Sequence, residues 1–197
     1  MKSILRFAAV AATFAILHAA EIGQPAPAIS AKDTKGMSID LAALKGKVVV
    51  LEWINFDCPF VKKHYASGNL PKLQQSAAAK EVVWISVNSS AEGKQGHLAA
   101  ADLETRAATE GSKAAHLLVD ADGTVGKAYG AKVTPHLFII GKDGKLAYDG
   151  AIDSKASTDA KDIASAVPLF ANALDAVIAD KEVADAKNKP YGCGVKY

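Results

Sequence analysis

Cysteine and arginine are both scarce in this sequence of 197 residues. Its two cysteines, Cys58 and Cys193, are too few for a scaffold held together by disulfides. Its two arginines are Arg6 and Arg106, and lysine plus arginine outnumber aspartate plus glutamate by only 23 to 21. So small an excess of positive charge argues against a nucleic-acid-binding surface. Any chemistry therefore depends on a few individual side chains.

The sequence also has no apolar run long enough for an ordinary membrane-spanning helix. The apolar stretch 7–20 is interrupted by Thr13 and His18 and is shorter than the ~20 residues that a span needs. Lys2 and Arg6 precede it and small residues end it, the order of a secretory signal. We expect residues 1–20 to be a signal peptide, cleaved after position 19 or 20. The alternative is an uncleaved N-terminal anchor.

Removing such a signal would leave residues 21–197 as one domain in an oxidising compartment, periplasmic or secreted. Removal would subtract two positive charges and leave lysine plus arginine balanced by aspartate plus glutamate, at 21 each. The mature domain is long enough to bury a sizeable core, and nothing in it predicts stable membrane insertion.

The apolar pattern of the remaining chain predicts strands that alternate with helices. Two β-branched runs, 48–54 and 82–88, are typical of central strands buried on both faces. Shorter strands are predicted at 116–120, 136–140 and 146–150, and a hairpin in the lead-in around 33–36. Helices are predicted at 59–65, from about 72, at 97–110, at 124–129 and within 157–180, where Pro168 starts or kinks a helix. The tail after these elements is predicted to be irregular.

This order predicts an α/β fold with a central mixed β-sheet and helices on both faces. Strands separated by helices pair in parallel, whereas the last two, joined by the Asp143–Gly144 turn, add an antiparallel edge.

Cys58 occupies the position at which open α/β sheets place their ligands, after a central strand and before a helix. Pro59 is suited to the first turn of that helix. A helix N-terminus favours an anion, so a thiol there has a lowered pKa and is a stronger nucleophile. Lys62 and Lys63 add positive charge nearby. The alternative is an inert cysteine buried in the core.

A second candidate feature is the segment Thr134–Pro135–His136 before the strand 136–140. Proline cannot donate within a central ladder, so Pro135 indicates a tight turn, in which its peptide bond is either cis or trans. His136 is a candidate base facing Cys58, or else a structural histidine. His64 is interpreted as a basic surface residue. The cysteines and histidines form no close pair of the kind found in zinc sites, so no metal is expected.

These motifs resemble the thioredoxin-like superfamily. The resemblance rests on the strand that ends in Cys58–Pro59, on Thr134–Pro135 and on the hairpin "GKDGKLAYDG". The lead-in "IGQPAPAISAKDTKGMSIDLAALKGKVVVLEW" resembles the redoxin branch, which includes the alkyl hydroperoxide reductase/thiol-specific antioxidant proteins. The segments "NFDCPFVKKHY", "GAIDS" and "GCGVKY" resemble a peroxiredoxin-like subgroup.

The resemblance implies a thioredoxin-like fold and an exported thiol oxidoreductase without a cofactor. Cys58 would attack a peroxide or a disulfide, and an external thiol would be the reductant. Val61 stands where thioredoxins carry their second cysteine, which leaves Cys193 as the possible resolving thiol; a structural or incidental Cys193 is the alternative. Leu51 and Asn55 replace the proline and the threonine or serine of the peroxiredoxin motif, and Asn55 retains a side chain able to hydrogen-bond a peroxide oxygen.

A different class of function is also compatible with these departures. The domain would then be a catalytically weak binding module, with an extended peptide paired in the groove beside Pro135.

Overall fold

The structure, a computed structural model, describes residues 20–197. The signal segment expected at 1–20 therefore lies outside the described residues, apart from Ala20.

In the described part of the chain, the central sheet has five strands in the order β5-β4-β3-β7-β8. Its strands are β3 (Val49–Trp53), β4 (Val83–Asn88), β5 (His116–Val119), β7 (His136–Ile140) and β8 (Leu146–Gly150). The pairs β3–β4 and β4–β5 are parallel, whereas β3–β7 and β7–β8 are antiparallel. This is the mixed sheet that the sequence predicts, and its fold is thioredoxin-like.

Two small sheets flank the central one. The lead-in forms a hairpin of β1 (Ser30–Lys32) and β2 (Ser38–Asp40), as predicted. The other pairs β6 (Val133–Thr134) with β9 (Cys193–Gly194) in antiparallel register, Thr134 opposite Cys193. The prediction of an irregular tail is wrong at these two tail residues, because their backbone pairs with the loop that precedes Pro135.

Within residues 20–197, five α-helices cover the sheet on both faces. They are α1 (Pro59–Ala66), α2 (Asn69–Ala78), α3 (Ala100–Thr109), α4 (Thr124–Tyr129) and α5 (Leu169–Ile178). Single 3₁₀ segments at Leu41–Leu44 and Ala160–Ser165 complete the helical elements of the described residues. Among residues 20–197, no helix combines the length and the apolar character needed to cross a membrane.

The alternation of side chains along β3 creates two apolar cores. Val50 and Ile54 pack with α1, α2, α3 and α5 on one face, and Cys58 belongs to this core. Leu51 and Trp53 pack on the other face with Tyr129 of α4 and with the β1–β2 hairpin. A strand buried on both faces explains the near-continuous apolar run from which β3 was predicted.

Two predicted helix starts are displaced in the structure. The second helix begins at Asn69 rather than near Lys72, with Pro71 in its first turn, where a missing backbone N–H removes no helical hydrogen bond. The third begins at Ala100 rather than at His97, whose Nδ1 lies 3.0 Å from the Ser90 carbonyl oxygen. Pro168 directly precedes α5, so it begins a new helix.

Candidate active site

Cys58 is fully buried at the junction between β3 and α1. It is the N-cap residue of α1, and Pro59 is the first helical residue. The Cys58 carbonyl accepts the first helical hydrogen bond, from Lys62, at 2.9 Å. The Cys58 thiol lies 3.0 Å from the Thr134 carbonyl oxygen, to which it donates in its protonated form. The strand end, the helix start and the loop before Pro135 therefore meet at the sulfur.

Cys193 lies beside Cys58, although the two are far apart in sequence. The pairing of β9 with β6 places Cys193 opposite Thr134, and the Cys193 side chain packs against the core that contains Cys58. Cys193 lies close enough to Cys58 to lower the pKa of that thiol, and both cysteines are free. The structure thus brings together the candidate nucleophile and the candidate resolving thiol.

The surroundings separate the acidities of the two thiols. Burial opposes ionisation of Cys58, but the nearby Cys193 and Thr134 side chains and the backbone N–H groups of Val61 and Cys193 outweigh it, so the pKa of Cys58 is lowered. Burial and the interaction with Cys58 raise the pKa of Cys193 to about 11. Of the two thiols, Cys58 is therefore the one that ionises first.

The segment before β7 forms one wall of the site. The Thr134–Pro135 peptide bond is cis, which decides between the two alternatives that the sequence left open. The Thr134 hydroxyl is buried and makes no hydrogen bond of standard geometry with any described residue. It lies close enough to Cys58 to contribute to the lowered pKa of that thiol.

Asn55 and Arg106 shape the loop that leads into Cys58. The Asn55 side-chain oxygen accepts from the Asp57 backbone N–H at 2.9 Å, and its amide nitrogen lies 3.3 Å from the Gln95 carbonyl oxygen. Arg106 donates to the Phe56 carbonyl at 3.0 Å and contacts the Asp57 carboxylate at 3.2 Å. Arg106 thus binds the loop that leads into Cys58. Both ends of the Asn55 side-chain amide contact backbone groups of the protein.

His136 does not face Cys58. Its ring stacks against Phe138 on the opposite face of the sheet, with 4.3 Å between ring centroids. Its Nε2 lies 2.8 Å from an Asp149 carboxylate oxygen, and its Nδ1 accepts from the Lys132 backbone N–H at 3.3 Å. The alternation of side chains along β7 puts Leu137, not His136, on the Cys58 side. The expectation of a His136 base is therefore wrong, and the structural alternative holds.

The prediction that His64 is a surface residue is also wrong. His64 is fully buried at the end of α1, and its neighbour Lys63 is only 4 % exposed. Both lie near Asp153, with Lys63 Nζ at 3.9 Å and His64 Nε2 at 3.8 Å from the same carboxylate oxygen. The Asp153 carboxylate therefore compensates the positive charge that Lys63 was expected to lend to Cys58.

The sequence interpretation also missed a buried carboxylate, Glu52, in the middle of β3. Glu52 has no exposed surface and points into the core that contains Tyr65 and Trp84. Four side chains donate to it, at distances between 2.7 and 3.3 Å: Tyr65, Gln74, Trp84 and Ser86. A charged residue within a run otherwise apolar on both faces was the signal that could have revealed this network.

The groove beside Pro135, where the binding-module alternative placed an external peptide, holds the chain's own tail. Val133 and Thr134 pair there with Gly194 and Cys193. On the far side of Cys193, the Lys132 carbonyl accepts from the Val195 N–H at 3.0 Å. Among residues 20–197, histidine, cysteine, aspartate and glutamate form no group of three or more that could hold a metal ion.

Comparison with known proteins agrees with this geometry. An uncharacterised conserved protein from Geobacillus kaustophilus has a similar structure, with a TM-score of 0.73 and 25 % identity over 90 % of this chain and 92 % of its own. A hypothetical protein from Sinorhizobium meliloti 1021 gives a TM-score of 0.74 and 23 % identity over 91 % and 96 % of the two chains. A putative thiol:disulfide interchange protein DsbE from Chlorobium tepidum gives 0.54 and 21 % over 66 % and 85 %.

No curated protein matches the chain significantly. Residues 21–167 match the Redoxin family, a stretch that contains the β1–β2 hairpin, Cys58, Pro135 and the whole central sheet. The described sheet has the mixed order of a thioredoxin-like fold. Because the match covers most of its length, the chain belongs to the Redoxin family of the thioredoxin-like superfamily.

Proposed function

We propose that this protein is a thiol oxidoreductase that cycles between a Cys58/Cys193 dithiol and a Cys58–Cys193 disulfide. The observation that carries the proposal is the pairing of β9 with β6, which holds Cys193 beside a Cys58 of lowered pKa. A thiolate is the nucleophile in both peroxide reduction and disulfide exchange. Membership of the Redoxin family supports a thiol or disulfide substrate.

With a peroxide ROOH, the Cys58 thiolate attacks the terminal oxygen and the O–O bond breaks. Alcohol ROH leaves after it gains a proton, and Cys58 becomes a sulfenic acid. The Cys193 thiol then attacks the Cys58 sulfur, the S–O bond breaks, and water leaves as the disulfide forms. An external dithiol reduces the disulfide and completes the cycle. This peroxidase reaction corresponds to the peroxiredoxin-like resemblance of the sequence.

With a disulfide substrate, the same two cysteines act in the same order. The Cys58 thiolate displaces one thiol of the substrate and forms a mixed disulfide. Cys193 then attacks Cys58, releases the second substrate thiol and forms the Cys58–Cys193 disulfide. The structural similarity to a putative thiol:disulfide interchange protein DsbE from Chlorobium tepidum supports this disulfide-exchange reaction.

The test is to treat the reduced protein with hydrogen peroxide and, separately, with oxidised glutathione, and to identify the cysteine products by mass spectrometry. We expect a Cys58–Cys193 disulfide in the wild type. Cys193→Ser should instead stop at a Cys58 sulfenic acid or a Cys58–glutathione adduct, depending on the oxidant. Cys58→Ser should form neither product. Free thiols in the wild type after both treatments would refute the proposal, and the faster oxidant would identify the substrate class.

Export is a separate part of the proposal. It is supported by the basic, apolar and small-residue order of residues 1–20. N-terminal sequencing of the protein from cell fractions tests it. A periplasmic or secreted chain that begins at residue 20 or 21 is expected, and a chain that retains residues 1–20 in the cytoplasm would refute export.

A further inference from the structure

A buried polar cluster lies at the far end of α1 from Cys58, and the reaction proposed above does not use it. Its members are Lys63, His64, Asp153 and Tyr191, which we call the anchor cluster. Lys63, His64 and Asp153 are each at most 5 % exposed. Tyr191 belongs to the tail and precedes Cys193 by two residues. The cluster therefore joins the helix that begins at the nucleophile to the segment that carries the second thiol.

The hydrogen bonds of the cluster form a directed chain. The Asn69 amide donates to Nδ1 of His64 at 2.9 Å, which makes Nδ1 an acceptor and leaves the ring proton on Nε2. Nε2 lies 3.3 Å from the Tyr191 hydroxyl oxygen, and that hydroxyl donates to Asp153 Oδ1 at 2.6 Å. Burial lowers the pKa of His64 to about 4, so the neutral tautomer persists at neutral pH.

The Asp153 carboxylate and the Lys63 ammonium compensate each other's charge within the cluster. The other Asp153 oxygen, Oδ2, is buried and accepts no hydrogen bond from any described residue. The cation near it is Lys63, whose Nζ also lies 3.4 Å from the Lys155 carbonyl oxygen and 5.8 Å from the centre of the Tyr191 ring. Burying a charged pair is costly and contributes little net stability, so such a pair is better explained by a positional role.

Tyr191 covers this cluster and packs edge-to-face on Phe60 of α1, with 5.7 Å between ring centroids. Gly192 and Cys193 follow directly, so the Tyr191 contacts fix the tail on the N-terminal side of Cys193. The pairing of β9 with β6 fixes it on the other side.

We propose that Asp153 is a positioning residue for the disulfide-forming step, and that it acts through Tyr191 and His64 to hold Cys193 against Cys58. The inference rests on the proposed function, since it assigns the cluster to the step in which the Cys193 thiol attacks Cys58 and water or a substrate thiol leaves. The cluster touches neither sulfur. Its loss should slow formation of the disulfide more than the first attack by Cys58, which it affects only through the weaker stabilisation of the Cys58 thiolate by Cys193.

The first experiment measures tail opening without any redox step. In a Cys58→Ser background, N-ethylmaleimide labels Cys193 as the only cysteine. Tyr191→Phe removes one hydroxyl and preserves the ring, and losing its bond to a carboxylate should speed labelling by about tenfold. Tyr129→Phe is the matched control, because it loses a buried hydroxyl bond of 2.7 Å, to the Pro27 carbonyl, on the other face of the sheet.

The second experiment measures the two chemical steps with both cysteines present. After mixing with hydrogen peroxide or oxidised glutathione, rapid quenching and mass spectrometry give the rate of the first Cys58 product and of the Cys58–Cys193 disulfide. Tyr191→Phe and Asp153→Asn should slow the second rate more than the first, by up to about tenfold for loss of a charge-assisted hydrogen bond. Asp153→Glu, which restores the carboxylate, should recover part of it.

The inference is overturned if Tyr191→Phe shows the same rate of Cys193 labelling and the same rate of disulfide formation as the control Tyr129→Phe. That outcome would leave the proposed function intact. Absence of the disulfide in the wild type would overturn the proposed function instead. In that case the labelling experiment still decides whether the cluster anchors the tail.

Discussion

The acidity of Cys58 depends on a residue that lies near it only in the folded protein. Cys193 is the largest of the contributions that lower the pKa of Cys58 against the effect of burial. The helix N-terminus from which the sequence predicted a reactive thiol is present, with backbone N–H of Val61 among the donors. The sequence does not reveal the Cys193 contribution, since pairing between distant cysteines is decided by geometry.

Cys193→Ala should therefore raise the pKa of Cys58, because it removes a hydrogen-bond donor from the thiolate. The variant has a single cysteine, so thiolate absorbance at 240 nm reports Cys58 alone. In the wild type, absorbance from Cys58 should appear below its ordinary pKa of 9.0, well before Cys193 ionises near pH 11. An unchanged midpoint in the variant would show that Cys193 does not stabilise the thiolate.

Glu52 makes the stability of the protein depend on pH in a defined direction. Burial raises the pKa of Glu52 above its ordinary 4.5, despite the donors from Trp84, Ser86, Gln74 and Tyr65. A raised pKa means that the protonated form stabilises the folded state, so this contribution is complete below about pH 4.5 and is lost as pH rises through the folded-state pKa.

Glu52→Gln should remove this dependence. The unfolding free energy of the variant minus that of the wild type should increase with pH above 4.5, by at most about 1.4 kcal/mol per pH unit for one proton. Urea unfolding at several pH values between 5 and 8 measures the difference. A difference that is constant over this range would mean that Glu52 does not titrate differently in the folded and unfolded states.

At the scale of elements, the periodic segments could be predicted well and the tail could not. The strands β3, β4, β5, β7 and β8 lie within a residue of their predicted bounds, because apolar β-branched runs with turn signals specify them locally. The β9 strand has no such pattern. Its two residues pair with β6. Tyr191, which precedes them, donates its hydroxyl hydrogen bond to Asp153, 38 positions earlier in the sequence. Contacts over that separation leave no periodic signal.

Gly192 is the element-scale feature that lets the tail approach Pro135. Its φ is +149°, and a Cβ there would collide with the Thr134 carbonyl oxygen and lie 2.7 Å from the carbonyl carbon. Gly192→Ala should therefore displace β9 from β6. A backbone strain of about 1–3 kcal/mol corresponds to slowing of Cys58–Cys193 disulfide formation by about 5- to 150-fold.

Gly194→Ala is the matched control, one residue beyond Cys193. A Cβ at Gly194 meets no atom within 4 Å, and its φ is outside the left-handed region. Disulfide formation should proceed at the wild-type rate in this variant. Equal rates for Gly192→Ala and Gly194→Ala, measured by quenched mass spectrometry, would show that the close approach at Thr134 does not position Cys193.

At the scale of the whole molecule, the topology explains why two distant cysteines meet. Parallel pairing brings the carboxyl ends of β3 and β4 to one edge of the sheet, and antiparallel β7 begins at that same edge, where Trp53 pairs with His136. Cys58 follows β3 and Thr134 precedes β7, so both lie at this edge. The sequence was sufficient to predict this arrangement. It was not sufficient to predict that the tail returns there, because the tail is held by side-chain contacts and one short ladder.

Oxidation should therefore stabilise the whole domain. A Cys58–Cys193 disulfide closes a loop of more than about 100 residues, and a native disulfide of this kind typically contributes about 2–4 kcal/mol by restricting the unfolded chain. Since β9 is already docked in the reduced protein, the bond should form with little rearrangement of the native state. Urea unfolding of the oxidised protein, with and without dithiothreitol, measures the difference.

Cys193→Ala separates the disulfide from other effects of the reductant, because it cannot form the bond and should unfold at the same urea concentration in both conditions. The urea concentration at which the wild type unfolds, compared between the oxidised and the reduced protein, also tests the docking of the tail. An oxidised wild type no more stable than the reduced protein would mean that the bond strains the native state by as much as it restricts the unfolded one. Cys193 would then have to leave its place opposite Thr134 to reach Cys58, and the β6–β9 ladder would not be the geometry of the oxidised protein.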